Sequence, residues 1–560
     1  MKSITKKLIL ILFVIIILKI ILSSFVFSPS AFSDEYTYSK MARSFFYSQE
    51  FTIHEVPTRQ YLPLYPIILS ISYLFKDMQI IYLVMKIINS IISSLIIIPS
   101  FLLAKEFISE KKALITALII SIYPANFSFS PLIMAENLYY PLFLFSIYFI
   151  YKEFTENKYK WSILSGISIA LTTLTKINGI ILIPILLILY LYKIINRKFI
   201  FKGAVISIAS FVILMIPWLL RNLSLFGSST TSIFGGYSAY LEKTTFSFPS
   251  FLMWLIIYTG IIIISTGFIY SLLNIIQFKN QKNEKLTYFR LIVFISTLLT
   301  LIIAANATAH SPKIIETLIK WLTWRPITRT IDVIAPLIII NGMINIDNIN
   351  KIKRKTMVFI FTIISIIFLI TTQITFFQLL PFNNISLVLL GIINKGLWNL
   401  INNPLINSFI FLIILISPLF LIYILSFKNK INFKNVVIIT ILFFLMSSIA
   451  NYTLISYNAN KYWYNDDQMQ LGIWLNKYDE GKSTVLIDNK NEGRILKIGQ
   501  TGLYEKNQLN NTVTKIGFFM NNRIVIGNIN NTIEMDYIIS KNRLNLPIMK
   551  NEKDIFIYKA

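Results

Sequence analysis

Three acidic positions and a set of cations stand out in a chain that is otherwise rich in hydrocarbon. Asp34 and Glu35 follow the apolar run from Leu8 to Phe27, where that run would leave a bilayer. Glu136 stands in Pro131-Leu132-Ile133-Met134-Ala135-Glu136-Asn137, after another such run. Arg43, Arg59, Lys176, Arg221, Arg325, Arg329 and Asp332 fall on or near the same side when the apolar runs are traced in order. An ionisable side chain inside a span costs roughly 2.5–3.5 kcal/mol at mid-bilayer on insertion scales, and less at the interface. Acidic positions and several cations on one face suit chemistry in which a carboxylate activates a hydroxyl while cations hold a phosphate. Asp34, Glu35 and Glu136 also have the oxygen ligands for a magnesium or manganese ion.

Each of these residues has a purely structural account as well. Acids at Asp34, Glu35 and Glu136 complement the dipole of a starting helix. Arg59 can snorkel to lipid headgroups, Lys176 can anchor a loop, and Arg329 and Asp332 can pair three residues apart on one helix. His54 and His310 are far apart in sequence and lack metal-ligand spacing.

The elements that would position these groups follow from composition. Of the 560 residues, 55% are hydrophobic, and the mean hydropathy is +0.66. Repeated apolar runs of about twenty residues read as membrane spans. The first resembles a signal peptide, with Lys2, Lys6 and Lys7 before it. It is long for a signal core and no small-x-small cleavage site follows, so it is read as a retained span. The net charge of +26 does not form a basic stripe for nucleic acid. It falls in short clusters between apolar runs, such as Lys105, Lys111 and Lys112, which is the positive-inside pattern. Zero cysteines exclude disulfides and thiolate metal sites.

Traced this way, the chain reads as mainly α, a polytopic membrane protein of about thirteen transmembrane helices over residues 1–457. Residues 28–76 form a first outer loop with interfacial helices, and Ile67 to Phe75 is too short to span. The third, fourth and fifth spans are placed at Ala113–Phe127, at Leu138–Tyr151 and just before Lys176. A further outer loop holds Lys313, Glu316, Lys320, Trp321 and Trp324. Lys19 lies inside span one, where it snorkels or meets lipid phosphate.

Residues 458–560 read as a small extracytoplasmic α/β domain. Its helix is expected over Asp467–Tyr478, and its strands at 484–487, 523–526, 537–539 and 554–558. Asn222, Asn510 and Asn530 begin Asn-x-Ser/Thr sequons on the outer side.

Several short stretches, in this order, resemble membrane glycosyltransferases of the C-type fold, and most closely the protein O-mannosyltransferase and aminoarabinose transferase superfamily. Asp34-Glu35 looks like the acidic motif of that family's first outer loop, and Leu62-Pro63-Leu64-Tyr65-Pro66 its proline-rich turn. Met134-Ala135-Glu136-Asn137-Leu138 resembles its second acidic site. Pro217-Trp218-Leu219-Leu220-Arg221-Asn222 is similar to its exit from the seventh span. Arg329-Thr330-Ile331-Asp332 looks like its arginine-led helix, with Thr330 where a tyrosine usually stands.

The resemblance implies inverting transfer of a sugar from a polyprenyl-phosphate carrier, dolichyl or undecaprenyl, to a hydroxyl on protein, lipid or glycan, at the outer face of the plasma membrane. No cofactor is required. By this analogy Asp34 is the general base and Glu35 orients it or the acceptor. Arg59, Lys176, Arg221 and Arg329 hold the donor phosphate. Glu136, with Tyr38 and Tyr65, supports the sugar, the acceptor or a metal. Two alternatives share the polytopic layout. One is an oligosaccharyltransferase, which carries a Trp-Trp-Asp-type acceptor motif; the nearest stretch here, Tyr462-Trp463-Tyr464-Asn465-Asp466, does not match it. The other is a lipid or sugar transporter or flippase, for which paired repeats would be expected.

Overall fold

The computed structural model describes residues 2–30, 33–54, 56–196, 201–228, 246–275, 283–309, 326–372, 384–401, 403–427, 431–488, 509–527 and 535–560. His310, Lys313, Glu316, Lys320, Trp321, Trp324 and Arg325 lie outside the described residues, as does Asn530. The protein is mainly helical. Among the described residues, ten helices are long and apolar enough to cross a membrane, from Ile4–Ser24 to Phe433–Tyr464.

Three more helical segments occupy the stretches read as the third, fourth and fifth spans. In chain order, α1 is Lys2–Ser24, α2 Ser33–Ser48, α3 Leu64–Ser70, α4 Met78–Ser94, α5 Ile97–Ala104, α6 Glu110–Ser121 and α7 Pro124–Ser128. They are followed by α8 Glu136–Glu156, α9 Tyr159–Thr175, α10 Leu182–Ile195 and α11 Phe201–Phe226. The three segments in question are α6 with α7, α8, and α9. α8 has 21 residues, about 31 Å at 1.5 Å per residue, enough for a hydrocarbon core. It sits inside the bundle, against α4, α9 and the helix Glu284–Ala309. That interior position lets it bury Asn137, Ser146 and Glu153 where a lipid-facing helix could not.

α9 and α11 approach closely at Gly166, where an added Cβ would lie 2.2 Å from the Ser207 carbonyl oxygen. Small residues let membrane helices reach such contact.

Two buried ammonium groups hold α1 against α4. Lys19 is fully buried, and its Nζ donates to Ser93 Oγ at 2.9 Å and to the Asn126 carbonyl at 2.8 Å. It does not snorkel, because two acceptors inside the bundle satisfy it. Lys86 Nζ donates to the carbonyls of Ser23 and Val26 at 3.0 and 2.6 Å. It thereby caps the turn that ends α1, whose Ser23 carbonyl also accepts from the Val26 N–H.

The segment after α1 is compact. α2 begins with Asp34 and Glu35 in its first turn, which suits the positive end of the helix dipole. It ends at Gln49, whose φ of 59° turns the chain away. A short antiparallel hairpin follows, β1 (Thr52–Ile53) with β2 (Val56–Pro57). His54 takes the left-handed φ of 51° that tight hairpin turns demand. Its Nε2 lies 2.8 Å from the Tyr36 hydroxyl, a hydrogen bond that offsets the backbone cost. α3 continues into a 3-10 turn, Ile71–Leu74, so this stretch does not span.

Beyond the last long helix lies a five-stranded sheet. Its strands are β3 (Thr484–Asp488), β4 (Arg523–Gly527), β5 (Tyr537–Ser540), β6 (Ile548–Glu552) and β7 (Ile555–Lys559), in the order β4-β3-β5-β7-β6. β3 runs parallel to β4 and β5, and β7 antiparallel to β5 and β6. β6 was not expected from the sequence. It is an edge strand with a register shift between Ile548 and Lys550, and Lys550, Asn551 and Glu552 break the apolar alternation. The helices Asp467–Asp479 and Leu509–Phe518 pack together, and the second meets α2.

Candidate active site

Four ionisable side chains from four separate elements meet at the start of α2. Asp34 Oδ2 accepts from Arg329 Nη1 at 3.0 Å, and Asp34 Oδ1 accepts from the Tyr61 hydroxyl at 2.5 Å. Glu136 Oε1 accepts from Lys176 Nζ at 2.6 Å, and Arg329 Nε lies 3.7 Å from the same oxygen. Arg329 therefore stands between two carboxylates, and Lys176 closes the far end. The Glu136 side chain is 2% exposed, that of Lys176 9% and that of Asp34 16%. The cluster grades from a buried ion pair to a carboxylate within reach of solvent.

Local structure explains each placement. Glu136 opens α8 directly after the turn 129–135. Asn137 Nδ2 donates to the carbonyls of Phe129, Leu132 and Met134, and Asn89 Nδ2 donates to that of Leu132. These amides satisfy carbonyls that no regular element pairs. Lys176 is the residue after α9, with extended backbone (φ −151°, ψ 131°). The chain doubles back there, and the Gly179 N–H donates to the Lys176 carbonyl at 2.8 Å. A Cβ on Gly179 would lie 2.7 Å from backbone atoms of Thr172 and Thr173. Gly179→Ala is therefore expected to displace Lys176 and to lower the melting temperature of the detergent-purified chain; an unchanged melting temperature would show that the turn relaxes freely.

Arg329 lies in a short 3-10 turn, Thr328–Thr330, with its carbonyl accepting from the Tyr140 hydroxyl at 2.9 Å. The expected pair of Arg329 with Asp332 is not formed. Asp332 is fully buried and instead accepts from the Tyr123 hydroxyl at 2.8 Å and from Thr328 Oγ1 at 3.4 Å. Arg329 and Asp332 belong to two successive 3-10 turns, Thr328–Thr330 and Asp332–Ile334, and not to one helix on which they would pair.

Glu35 differs from its neighbour. Its carboxylate is fully buried and accepts two backbone N–H groups, Ser30 to Oε2 and Ile133 to Oε1, both at 2.9 Å. It ties the entry of α2 to the turn before Glu136. These bonds hold the turn that carries Asp34, whereas the sequence reading had Glu35 orient Asp34 or the acceptor directly. The three carboxylates also do not fit a divalent ion. Glu35 is taken by backbone N–H groups, while Asp34 and Glu136 face Arg329 and Lys176. Among the described residues no group of three or more His, Cys, Asp or Glu gathers in a metal-binding arrangement.

Tyr38 stacks on Tyr61 at 4.5 Å and meets Tyr65 edge-on at 5.0 Å. The Tyr65 hydroxyl donates to Asn89 Oδ1 at 2.9 Å. The two tyrosines expected near the sugar thus fix the ring that hydrogen-bonds Asp34. Arg221 and Arg59 sit at the end of α11. Arg221 donates to the carbonyls of Thr58 and Phe51 at 3.1 and 2.9 Å and stacks on Trp218 at 4.9 Å. It clamps α11 to the β1–β2 hairpin. Arg59 lies 4.7 Å over the Phe226 ring. Asn222, the first sequon residue, is 1% exposed, which closes it to glycosylation.

Sequence reasoning missed Tyr61, Asn89 and the work of Asn137. Tyr61 stood next to quoted residues, but only its distance to Asp34 gives it a role.

Residues 60–220 match the family model for dolichyl-phosphate-mannose-protein mannosyltransferases. That stretch holds Tyr61, Asn89, Glu136, Asn137 and Lys176. No curated protein sequence matches the chain. Among solved structures, ArnT from Cupriavidus metallidurans bound to undecaprenyl phosphate is similar with a TM-score of 0.58 at 10% identity, over 98% of this chain and 97% of that one. The apo state of the same ArnT gives 0.52 at 11% identity, over 99% and 98%. The chain as a whole thus has the fold of ArnT, and its residues 60–220 match the mannosyltransferase family model.

Proposed function

We propose that this chain is a glycosyltransferase that moves a sugar from a polyprenyl-phosphate carrier to an acceptor hydroxyl, with inversion and with Asp34 as general base. The observation that carries the reading is the Asp34–Arg329–Glu136–Lys176 cluster, which places a partly open carboxylate beside two cations. In this reading all thirteen helical segments cross the membrane, and the cluster and residues 458–560 face the extracytoplasmic side of the plasma membrane. The basic clusters between apolar runs support that orientation.

The reaction needs three things from the protein. A carboxylate must take the acceptor proton as the oxygen attacks the anomeric carbon. Each Asp34 oxygen has two lone-pair sites, so it can accept from Tyr61 or Arg329 and still receive that proton. Cations must hold the carrier phosphate, which leaves with the electron pair of the broken bond to the sugar. A guanidinium has five N–H donors in one plane, so Arg329 can hold Asp34 and a phosphate oxygen together. Lys176 adds the second charge and Arg59 a third at the rim, while Arg221 acts by holding the hairpin. The third need is binding of the sugar hydroxyls, for which Glu136 provides acceptor oxygens. ArnT of the same fold was solved with undecaprenyl phosphate, which supports a lipid-phosphate donor here. No step requires a metal.

The test uses membranes of cells making the full chain, supplied with radiolabelled polyprenyl-phosphate sugar. Free polyprenyl phosphate should appear only when acceptor is present, with label moving to that acceptor. Label that crosses the membrane while the carrier stays glycosylated would establish a transporter and overturn the proposal.

A further inference from the structure

On the opposite face of α2 from Asp34 lies a second polar cavity, of about 380 Å³, between α2, the hairpin turn and the start of β4. At 100° per residue, Tyr36, Lys40, Arg43 and Tyr47 fall on one side of α2 and Asp34 on the other. The recess is therefore separate from the cluster above. Its lining includes three cations, Lys40, Arg43 and Arg523, and one carboxylate, Glu50.

The cations are built in rather than draped over the surface. Lys40 is 4% exposed, and its Nζ donates to the Met520 carbonyl at 2.6 Å. Arg43 donates to the carbonyl and side-chain oxygens of Asn521 through Nε and Nη2, at 2.8 to 3.0 Å, and lies 5.1 Å over the Tyr47 ring. Burial, with Arg43 alongside, pushes the Lys40 ammonium pKa well below its usual value. Burial and the same two cations push the His54 imidazole down to about 3. Positive charge held in a recess of low dielectric favours a bound anion, which relieves the repulsion among its walls.

We propose that this cavity binds an oxyanion, a phosphate or carboxylate group, and that the bound anion links the sheet to the helix that carries Asp34. Lys40, Arg43 and His54 come from the segment after α1, and Arg523 from β4. An anion there bridges the two parts with charge-assisted hydrogen bonds. Two sources have this chemistry, a soluble sugar phosphate and an anionic lipid headgroup.

The experiment is calorimetric titration of the full chain in phosphatidylcholine nanodiscs with glucose 6-phosphate, and with glucose as the neutral control. The charged probe should bind and glucose should not. Arg523 is exposed at the start of its strand, so Arg523→Gln leaves the fold in place and should weaken binding at least tenfold. Arg329→Gln, in the other cluster, should leave this binding unchanged. Loss in Arg329→Gln with retention in Arg523→Gln would put the probe at the donor site and overturn the cavity, leaving the transferase reading intact. Equal binding by wild type and Arg523→Gln, or no binding at all, also overturns it. Phosphatidylglycerol nanodiscs assign the source: competition with the probe identifies a lipid headgroup, and full probe binding a soluble anion.

Discussion

Asp34→Asn should lower sugar transfer by about 10²–10⁴-fold, the range for loss of a positioned general base, while the protein still inserts and folds. The amide is isosteric with the carboxylate, and its oxygen can accept from Tyr61 or from Arg329. It cannot accept from both and also take a proton from the acceptor. The bond between Asp34 Oδ2 and Arg329 Nη1 is charge-assisted, so part of its contribution to stability is lost too. Transfer and melting temperature must therefore be measured on the same purified preparation. Tyr61→Phe is the useful comparison, because it removes one hydrogen bond to Oδ1 and leaves the carboxylate. It should cost transfer far less than Asp34→Asn. Wild-type turnover by Asp34→Asn would remove Asp34 from the mechanism, and equal losses in the two variants would make Asp34 a structural acceptor for Tyr61.

The charged members of the cluster were legible because a membrane makes charge expensive, so few such residues accumulate without a reason. Asp34, Glu136, Lys176 and Arg329, each singled out in the sequence, do come together. Their pairing was not legible, since it depends on the meeting of four elements that are far apart in sequence. Glu35 shows the limit most clearly. Next to Asp34 it looked equivalent, yet one residue along a helix is a rotation of 100°. That rotation turns Glu35 from the open side to the Ser30 and Ile133 N–H groups. Arg221 shows a second limit: a motif fixed its place at the end of α11, but its donors go to backbone carbonyls. Tyr61 is one of 29 tyrosines, and a phenol at an interface carries no cost that would mark it out. Of the fold, the long apolar helices and four strands were readable from period and length. β6 was not, because a polar edge strand lacks the alternation that a buried face imposes.

The buried end of the cluster should respond differently from Asp34. Glu136→Gln leaves the Lys176 ammonium, 9% exposed, without its carboxylate. It also removes the negative charge that lies between Lys176 and the Arg329 guanidinium, whose Nε is 3.7 Å from the lost oxygen. Breaking one partner of a buried pair costs about 3–5 kcal/mol, so this variant should lose more stability than Asp34→Asn, whose site is partly open. Glu136→Gln with Lys176→Met removes the stranded charge and should recover more than half of that loss, because the two residues are in contact and their effects are coupled. Denaturation of wild type, both single variants and the double variant in one detergent measures the coupling. Strictly additive losses would mean that the 2.6 Å contact contributes nothing to the folded state. The same four proteins separate support from chemistry. In the double variant Arg329 keeps its bond to Asp34, so a pair that acts only by supporting Arg329 would regain transfer along with stability. The proposal places Glu136 on the sugar and Lys176 on the phosphate, and it therefore expects stability to return while transfer stays low.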